Sequence, residues 1–409
     1  CAPDGSPAEY SEENIPFTPK HHFPIQLDGV DNGDYTMIFG FPGSTDRYLT
    51  SYGIELALDQ SNPTIVQIRE EKLAIMKAGM DASKRVKIQY AAKYAQTSNY
   101  WKYFIGQSRG LKRMRVLDKK VEIENQFTDW VNTGDDNRKE KYGEALNLIE
   151  DAYDVNRKIN IARTYLNEAV FQGAEIRYFS FLMERQISNL SEDEQEKRQH
   201  IRDIKKQAID FYKNYNADID QELFSSMLEM YYYNVPKYQH PTVFKKIENQ
   251  LLGFKALDFD YYAKNVFTKS VFSSKEKFMS FLVRPSASKI TKDPAFTTLM
   301  SIYDFYIENL YSKRKLVKSK LDEGNRLFIA GLREMNPDKK YYPNANSTMR
   351  VTYGNVGDYE PGNAVHYDFY TTIDGIIEKE DATNDEFIVP ERLKELYEIG
   401  DYGRYADED

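Results

Sequence analysis

The chain has 409 residues, with 55 Lys and Arg against 64 Asp and Glu, a formal net charge of −9. That balance argues against a nucleic-acid binder, which needs surplus basic side chains to displace counterions from phosphates. Apolar residues at 41% and aromatics at 14% can fill real cores, which argues against disorder, and no uncharged apolar run approaches the roughly 18 residues of a membrane span.

The chain opens on its single cysteine, Cys1, so an intrachain disulfide and a thiolate-rich metal site are excluded. Two readings of that start stay open: a mature lipoprotein lipidated on the cysteine, or a stretch cut from a longer protein. The turn chemistry of Cys1-Ala-Pro-Asp-Gly favours the second. Prolines 3, 7, 16, 19, 24 and 42 crowd the opening zone, which reads as β. Pro24-Ile25-Gln26-Leu27 leads to the turn signal Asn32-Gly33-Asp34. A β-prone run, Tyr35 to Phe39, then stops at Gly40-Phe41-Pro42-Gly43. Met37 and Phe39 point to one side and Thr36 and Ile38 to the other, which predicts a strand buried on both faces.

After Pro63 no proline occurs until Pro236. Proline breaks helix interiors at a cost of about 3 kcal/mol, so its long absence predicts a helical domain. Leu148, Ala152, Val155, Ile159, Ala162, Leu166, Ala169, Gly173 and Ile176 alternate in steps of four and three, as one seam. Its small members, Ala152, Ala162, Ala169 and Gly173, would admit a close partner helix. Ser191-Glu192-Asp193-Glu194 reads as a capping box with Ser191 capping. Ile201, Ile204, Ala208 and Phe211 line the helix that follows, and another helical block is expected from about Phe296 to Met335, stopped by Asn336-Pro337. This patterning predicts antiparallel packing of long helices.

β character returns at Thr348 to Tyr353 and at His366 to Ile377. Pro390 to Ile399 reads as a short amphipathic helix with Leu393, Leu396 and Tyr397 on its apolar side, and Gly400 to Tyr405 as a loop. The expected layout is β, then a long α block, then β, with the two β pieces pairing because neither buries a core alone. No repeat of about 20 to 50 residues is evident, which weakens a solenoid.

Chemistry-bearing motifs are scarce. There is no phosphate-binding G-x-x-x-x-G-K-[ST] loop, no H-E-x-x-H zinc helix and no G-x-S-x-G nucleophile elbow. His21 and His22 precede a strand and would face opposite ways, a poor ligand pair. His200 sits in a charged, solvated stretch, and His366, beside Tyr367 and Asp368, reads as a hydrogen-bonded sheet histidine before it reads as a base. Asp46-Arg47 is better taken as a local bridge than as a functional pair. Tyr231-Tyr232-Tyr233 would suit a sugar or peptide groove, yet tyrosines more often pack helix crossings. Lys112, Arg113, Arg115, Lys119 and Lys120, with Asp118 and Glu122 among them, read as a solvated face.

The β pieces carry a resemblance. Pro24-Ile25-Gln26-Leu27 and Gly33-Asp34-Tyr35-Thr36-Met37-Ile38-Phe39 look like opening strands of the second barrel in trypsin-like bacterial serine proteases. Gly40-Phe41-Pro42-Gly43-Ser44-Thr45-Asp46-Arg47-Tyr48 is more particular, and resembles the bacterial dipeptidyl-peptidase 7 and 11 family. Asn344 to Gly354, Tyr370 to Asp381 and Asp401 to Tyr405 are similar to that family's return strands and tail.

The resemblance covers essentially the whole chain. It implies an α+β fold, with a long-helix bundle inserted between two β pieces of a trypsin-like second β-barrel. The boundaries expected are 1–47 for the first barrel part, 48–345 for an inserted helical cap, and 346–409 for the returning barrel part. It further implies a serine dipeptidyl-peptidase releasing dipeptides from peptide N-termini, periplasmic or at the cell surface, with a peptide as partner. No cofactor or metal, no nucleic acid and no membrane span are implied; a homodimer is what the family suggests. The triad His, Asp and Ser would all lie outside this chain, with Cys1 at an internal position and not lipidated. No catalytic residue is therefore carried over, substrate-binding residues stay unassigned, and the 409 residues alone are expected to be inactive. The rival expectation is a lipid-anchored, aromatic-rich helical surface protein binding glycans or peptides; a blander one is a structural α-bundle.

Overall fold

The computed structural model describes residues 1–250, 257–384 and 386–406. Two compact units emerge: Asp46–Tyr342, and Cys1–Thr45 together with Pro343–Asp409.

The second of these is the β unit. Strand β1 (Tyr35–Gly40) pairs antiparallel with β2 (Arg350–Asn355), Tyr35 facing Asn355 and Gly40 facing Arg350. Two segments far apart in sequence thus share one ladder, as the two apolar β-prone runs predict. The pair is extended by Gly33 N to Val356 O and Ser347 N to Pro42 O, each 2.9 Å. A second antiparallel pair joins β3 (Tyr359–Gly362) and β4 (Val365–Tyr367). Burial on both faces of β1 is not found: Ile38 is 69% exposed and Phe39 62%. A ladder of two strands has no second layer within this unit to cover either face. The strand expected through Ile377 also ends early, at Tyr367. Residues Asp374–Ile377 form a helical turn, because β-propensity is a weak preference that local context overrides.

The helical unit begins with α1 (Ser51–Leu56), a wide π turn at Ala57–Ser61, and α2 (Asn62–Ala82), with Pro63 in the first turn of α2. Helix α3 (Lys84–Arg113) is capped by Ser83 and breaks into α4 (Val116–Asn132) at Arg115, a left-handed residue at φ 51°. Then come α5 (Asp136–Tyr142), α6 (Ala145–Tyr165), a second π turn at Leu166–Phe171, α7 (Glu175–Ser188), α8 (Glu194–Lys213) and α9 (Ala217–Asn234). The unit is completed by α10 (Thr242–Gln250), α11 (Phe259–Lys269), α12 (Lys275–Phe281), α13 (Ala287–Ile290), α14 (Pro294–Asn309) and α15 (Tyr311–Met335). In the β unit, α16 is the Asp374–Ile377 turn and α17 spans Glu391–Ile399, closed by left-handed Gly400 as its amphipathic pattern predicts. No helix among the described residues is long and apolar enough to cross a membrane.

Three helical expectations need correction. The seam of nine is not one line: Ala152, Ile159, Ala162, Leu166 and Ala169 are buried, but the chain turns out of helix after Phe171 and Ile176 lies in α7. A 3.5-residue repeat drifts round a straight helix, so Ile149 and Asn156 lie deeper than Leu148 and Val155. The cap of α8 is Asp193, which accepts from Gln195 N and Glu196 N, each at 2.9 Å, while Ser191 donates to Glu196. A carboxylate next to the helix competes better for those amides than a hydroxyl two residues back. The block 296–335 is two helices meeting at Leu310.

The main core draws on α2, α3, α6, α7, α9, α11 and α14. A smaller one gathers Phe127, Tyr142, Ile149 and Phe328 from α4, α5, α6 and α15. Gly324 of α15 permits close approach there: a Cβ would lie 2.8 Å from Ile149 Cγ1 and 3.0 Å from the Ala145 carbonyl oxygen.

Candidate functional site

Helix α7 starts at Glu175 behind Ala174, a residue with no capping group. Its first amides are instead served by Asp220 from α9, wholly buried. Glu175 N donates to Asp220 Oδ1, Ile176 N to Oδ2 at 2.9 Å, and Tyr215 Oη to Oδ2 at 3.1 Å. Desolvation pushes the Asp220 carboxyl up to about 7, the Glu175 charge adds to the rise, and the donated hydrogen bonds oppose it. Alongside, fully buried Arg177 donates to Ala169 O (2.9 Å) and Phe224 O (3.0 Å), with its guanidinium 4.3 Å from the Phe224 ring centre. Burial lowers its pKa to about 10.

Glu175 turns its side chain outward, to Lys93 and Tyr90 of α3. Lys93 Nζ lies 2.7 and 2.8 Å from the two carboxylate oxygens, and Tyr90 Oη donates to Oε1 at 3.1 Å. Lys93 also donates to Asn214 O. On the facing side, Lys72 of α2 donates to the Gln172 carbonyl just after the second π turn, and Arg69 pairs with Glu168 at 2.7 Å. Lys72, Tyr90, Lys93 and Glu175 border a cavity of about 410 Å³ whose floor includes Met76, Phe171, Phe179, Leu182 and Phe211. The rings of Phe179 and Phe211 stack at 4.0 Å. Its lining joins two lysines and a carboxylate to apolar and aromatic side chains, the make-up of a small-ligand pocket.

In the β unit, Asp358, His366 and Asp368 converge. His366 Nε2 is 3.6 Å from Asp358 Oδ2 and 3.3 Å from Asp368 Oδ1. Asp358 is held by Phe369 N at 2.9 Å. Their ligand atoms lie within 4.8 Å of one another, which makes this the one cluster among the described residues with metal-holding geometry. All three are exposed, and an imidazole N–H shared between two carboxylates accounts for the same geometry without a metal ion.

The other residues singled out in the sequence scatter. His21 and His22 are exposed and outside any strand, His21 resting edge-on to Phe23. His200 is exposed on α8. Tyr231 is buried at a helix crossing, Tyr232 bonds Glu248 at 2.8 Å, and Tyr233 is exposed. Of the basic cluster, Lys112, Arg113, Arg115 and Lys119 face solvent, while Lys120 donates to Arg47 O at 2.8 Å. The cavity residues Lys72, Lys93 and Glu175, and Asp220 behind them, carry no sequence signature and read as ordinary polar positions until the fold joins four helices. Among the described residues no histidine is hydrogen-bonded to a serine.

Known proteins resemble this chain along nearly its whole length. The chain is 36% identical over 415 residues to dipeptidyl-peptidase 7 of Porphyromonas gingivalis, covering 99% of this chain and 55% of that protein. It is 31% identical to the Asp/Glu-specific dipeptidyl-peptidase of Flavobacterium psychrophilum, covering 98% of the chain and 55% of the relative. The chain therefore spans about half the length of the curated relatives it matches. Among solved structures, Porphyromonas endodontalis DPP11 in complex with the dipeptide Arg-Glu superposes with a TM-score of 0.81 at 26% identity, over 100% of this chain and 57% of the other. The peptidase S46 family pattern matches residues 2–409, and the chain belongs to that family.

Proposed function

We propose that this chain is the central part of a serine dipeptidyl-peptidase that releases dipeptides from the amino ends of peptides. The observation that carries the reading is the match of nearly the whole chain to S46 peptidases, two of them dipeptidyl-peptidases in their own names. The β1–β2 ladder, closed across an intervening helical unit, supports a finer reading: the two β pieces belong to one trypsin-like barrel, and residues 48–345 cap its cleft so that only unfolded peptide ends enter.

In this reading a His–Asp pair and the nucleophilic Ser come from the parts of the relatives that this chain does not span. The histidine takes the serine proton, backbone amides hold the oxyanion, and an acyl-enzyme forms and hydrolyses. The parent acts in the periplasm or at the cell surface, as a homodimer. The test is release of a fluorogenic group from dipeptidyl substrates with a free amino terminus. The full-length protein is expected to turn them over and its N-blocked analogues to be inert, while residues 1–409 alone release nothing above background. Turnover by the 409-residue chain that a substitution within it abolishes would overturn the assignment, as would an inactive full-length protein.

A further inference from the structure

The cavity of the helical unit has no part in that reading, and its composition is selective. Four helices, α2, α3, α7 and α8, and the segment after the second π turn enclose about 410 Å³, within the range of small-ligand sites. Below, Met76, Phe179, Leu182 and Phe211 offer an apolar and aromatic floor.

The rim carries two ammonium groups and one carboxylate. Glu175 is committed to Lys93 and Tyr90. Lys72 is left with a neutral carbonyl, Gln172 O, and among the described residues no carboxylate lies within ion-pair distance of it. Burial and the Arg69 charge lower the Lys72 pKa, opposed by the charges of Glu175, Glu168 and Asp220. A half-buried ammonium without a counter-ion, above an apolar floor, favours an anion with an apolar body over a neutral or cationic ligand.

We propose that this cavity binds a small carboxylate with an apolar or aromatic body, its carboxylate paired with Lys72 and its body laid on Met76, Phe179, Leu182 and Phe211. The same chemistry is offered by a free medium-chain fatty acid and by the carboxyl end of a peptide with an apolar last residue.

Calorimetric titration of the 409-residue chain separates the sources and tests the site. The probes are octanoate against octanol, and N-acetylphenylalanine against its amide; none is a dipeptidyl substrate, so the result is independent of the peptidase reading. At least one acid is expected to bind with one-to-one stoichiometry and about tenfold or more tighter than its neutral partner. The acid that binds identifies the source. Lys72→Met should erase that preference while Lys72→Arg keeps it, and Leu182→Trp should block binding by filling the floor, with helical circular dichroism unchanged in each. No binding of either acid by the wild type, equal binding of acid and neutral partner, or full retention by Lys72→Met would overturn the site. If Leu182→Trp unfolds the chain, the two Lys72 variants still decide the question.

Discussion

Phe127 in the helical unit is 2% exposed and touches Phe328 and Tyr142, while Phe39 in the β unit is 62% exposed on a two-stranded ladder. The two phenylalanines differ in what surrounds their elements, not in local preference. Each helix finds several others to bury one stripe against, so the helical unit closes two cores with its own residues. The β unit supplies backbone pairing without a covering layer, and two strands by themselves are marginal in water. Stability in this chain therefore resides in helix packing, and the ladder rests on backbone hydrogen bonds with one cross-strand ring pair, Tyr35 and Tyr353.

Native-state hydrogen exchange would break that contrast most directly. Amides of α6 and α9 are expected to exchange at least about a thousandfold more slowly than those of β1 and β2; similar rates would refute it. Phe127→Ala should lower the unfolding free energy of the helical unit by about 3–5 kcal/mol, read by urea denaturation. A pH series sharpens the comparison inside that unit. The Asp220 carboxyl is raised from 3.8 to about 7, so between those values the folded state keeps a proton that the unfolded chain has lost. Its contribution therefore falls as pH rises from about 4 to about 7, by on the order of 4 kcal/mol, and Asp220→Asn should remove that slope. Gly324→Val, which presses on the Ala145 backbone, should cost about 1–3 kcal/mol. Smallest is Ile38→Ala on the bare strand, expected to change stability by less than about 0.5 kcal/mol.

Local rules read some of this from sequence and missed the rest for identifiable reasons. The β1–β2 partnership was legible because both runs are apolar, β-branched or aromatic and bounded by glycine, and α17 because its amphipathic stripe ends at Gly400. The proline-free span announced helices. Leu310 and the π turns stayed hidden, since an added residue in a helix changes no composition and only shifts the phase downstream. The cap of α7 was out of reach for another reason: its carboxylate stands 45 residues away, on α9. The cavity was illegible for the same cause, because Lys72, Lys93 and Glu175 meet only after three helices dock.

The turn at Leu166–Phe171 bears on how such chains diverge. One surplus residue per loop of backbone shifts the helical phase after it by about 100°, here setting where α6 ends and where it leaves the Gln172 carbonyl that meets Lys72. Removing a single position from 166–171 would let α6 run on as regular helix and turn that carbonyl away from Lys72. Sequences of this kind should consequently tolerate length changes at exposed loops far more readily than the loss of one residue at this spot.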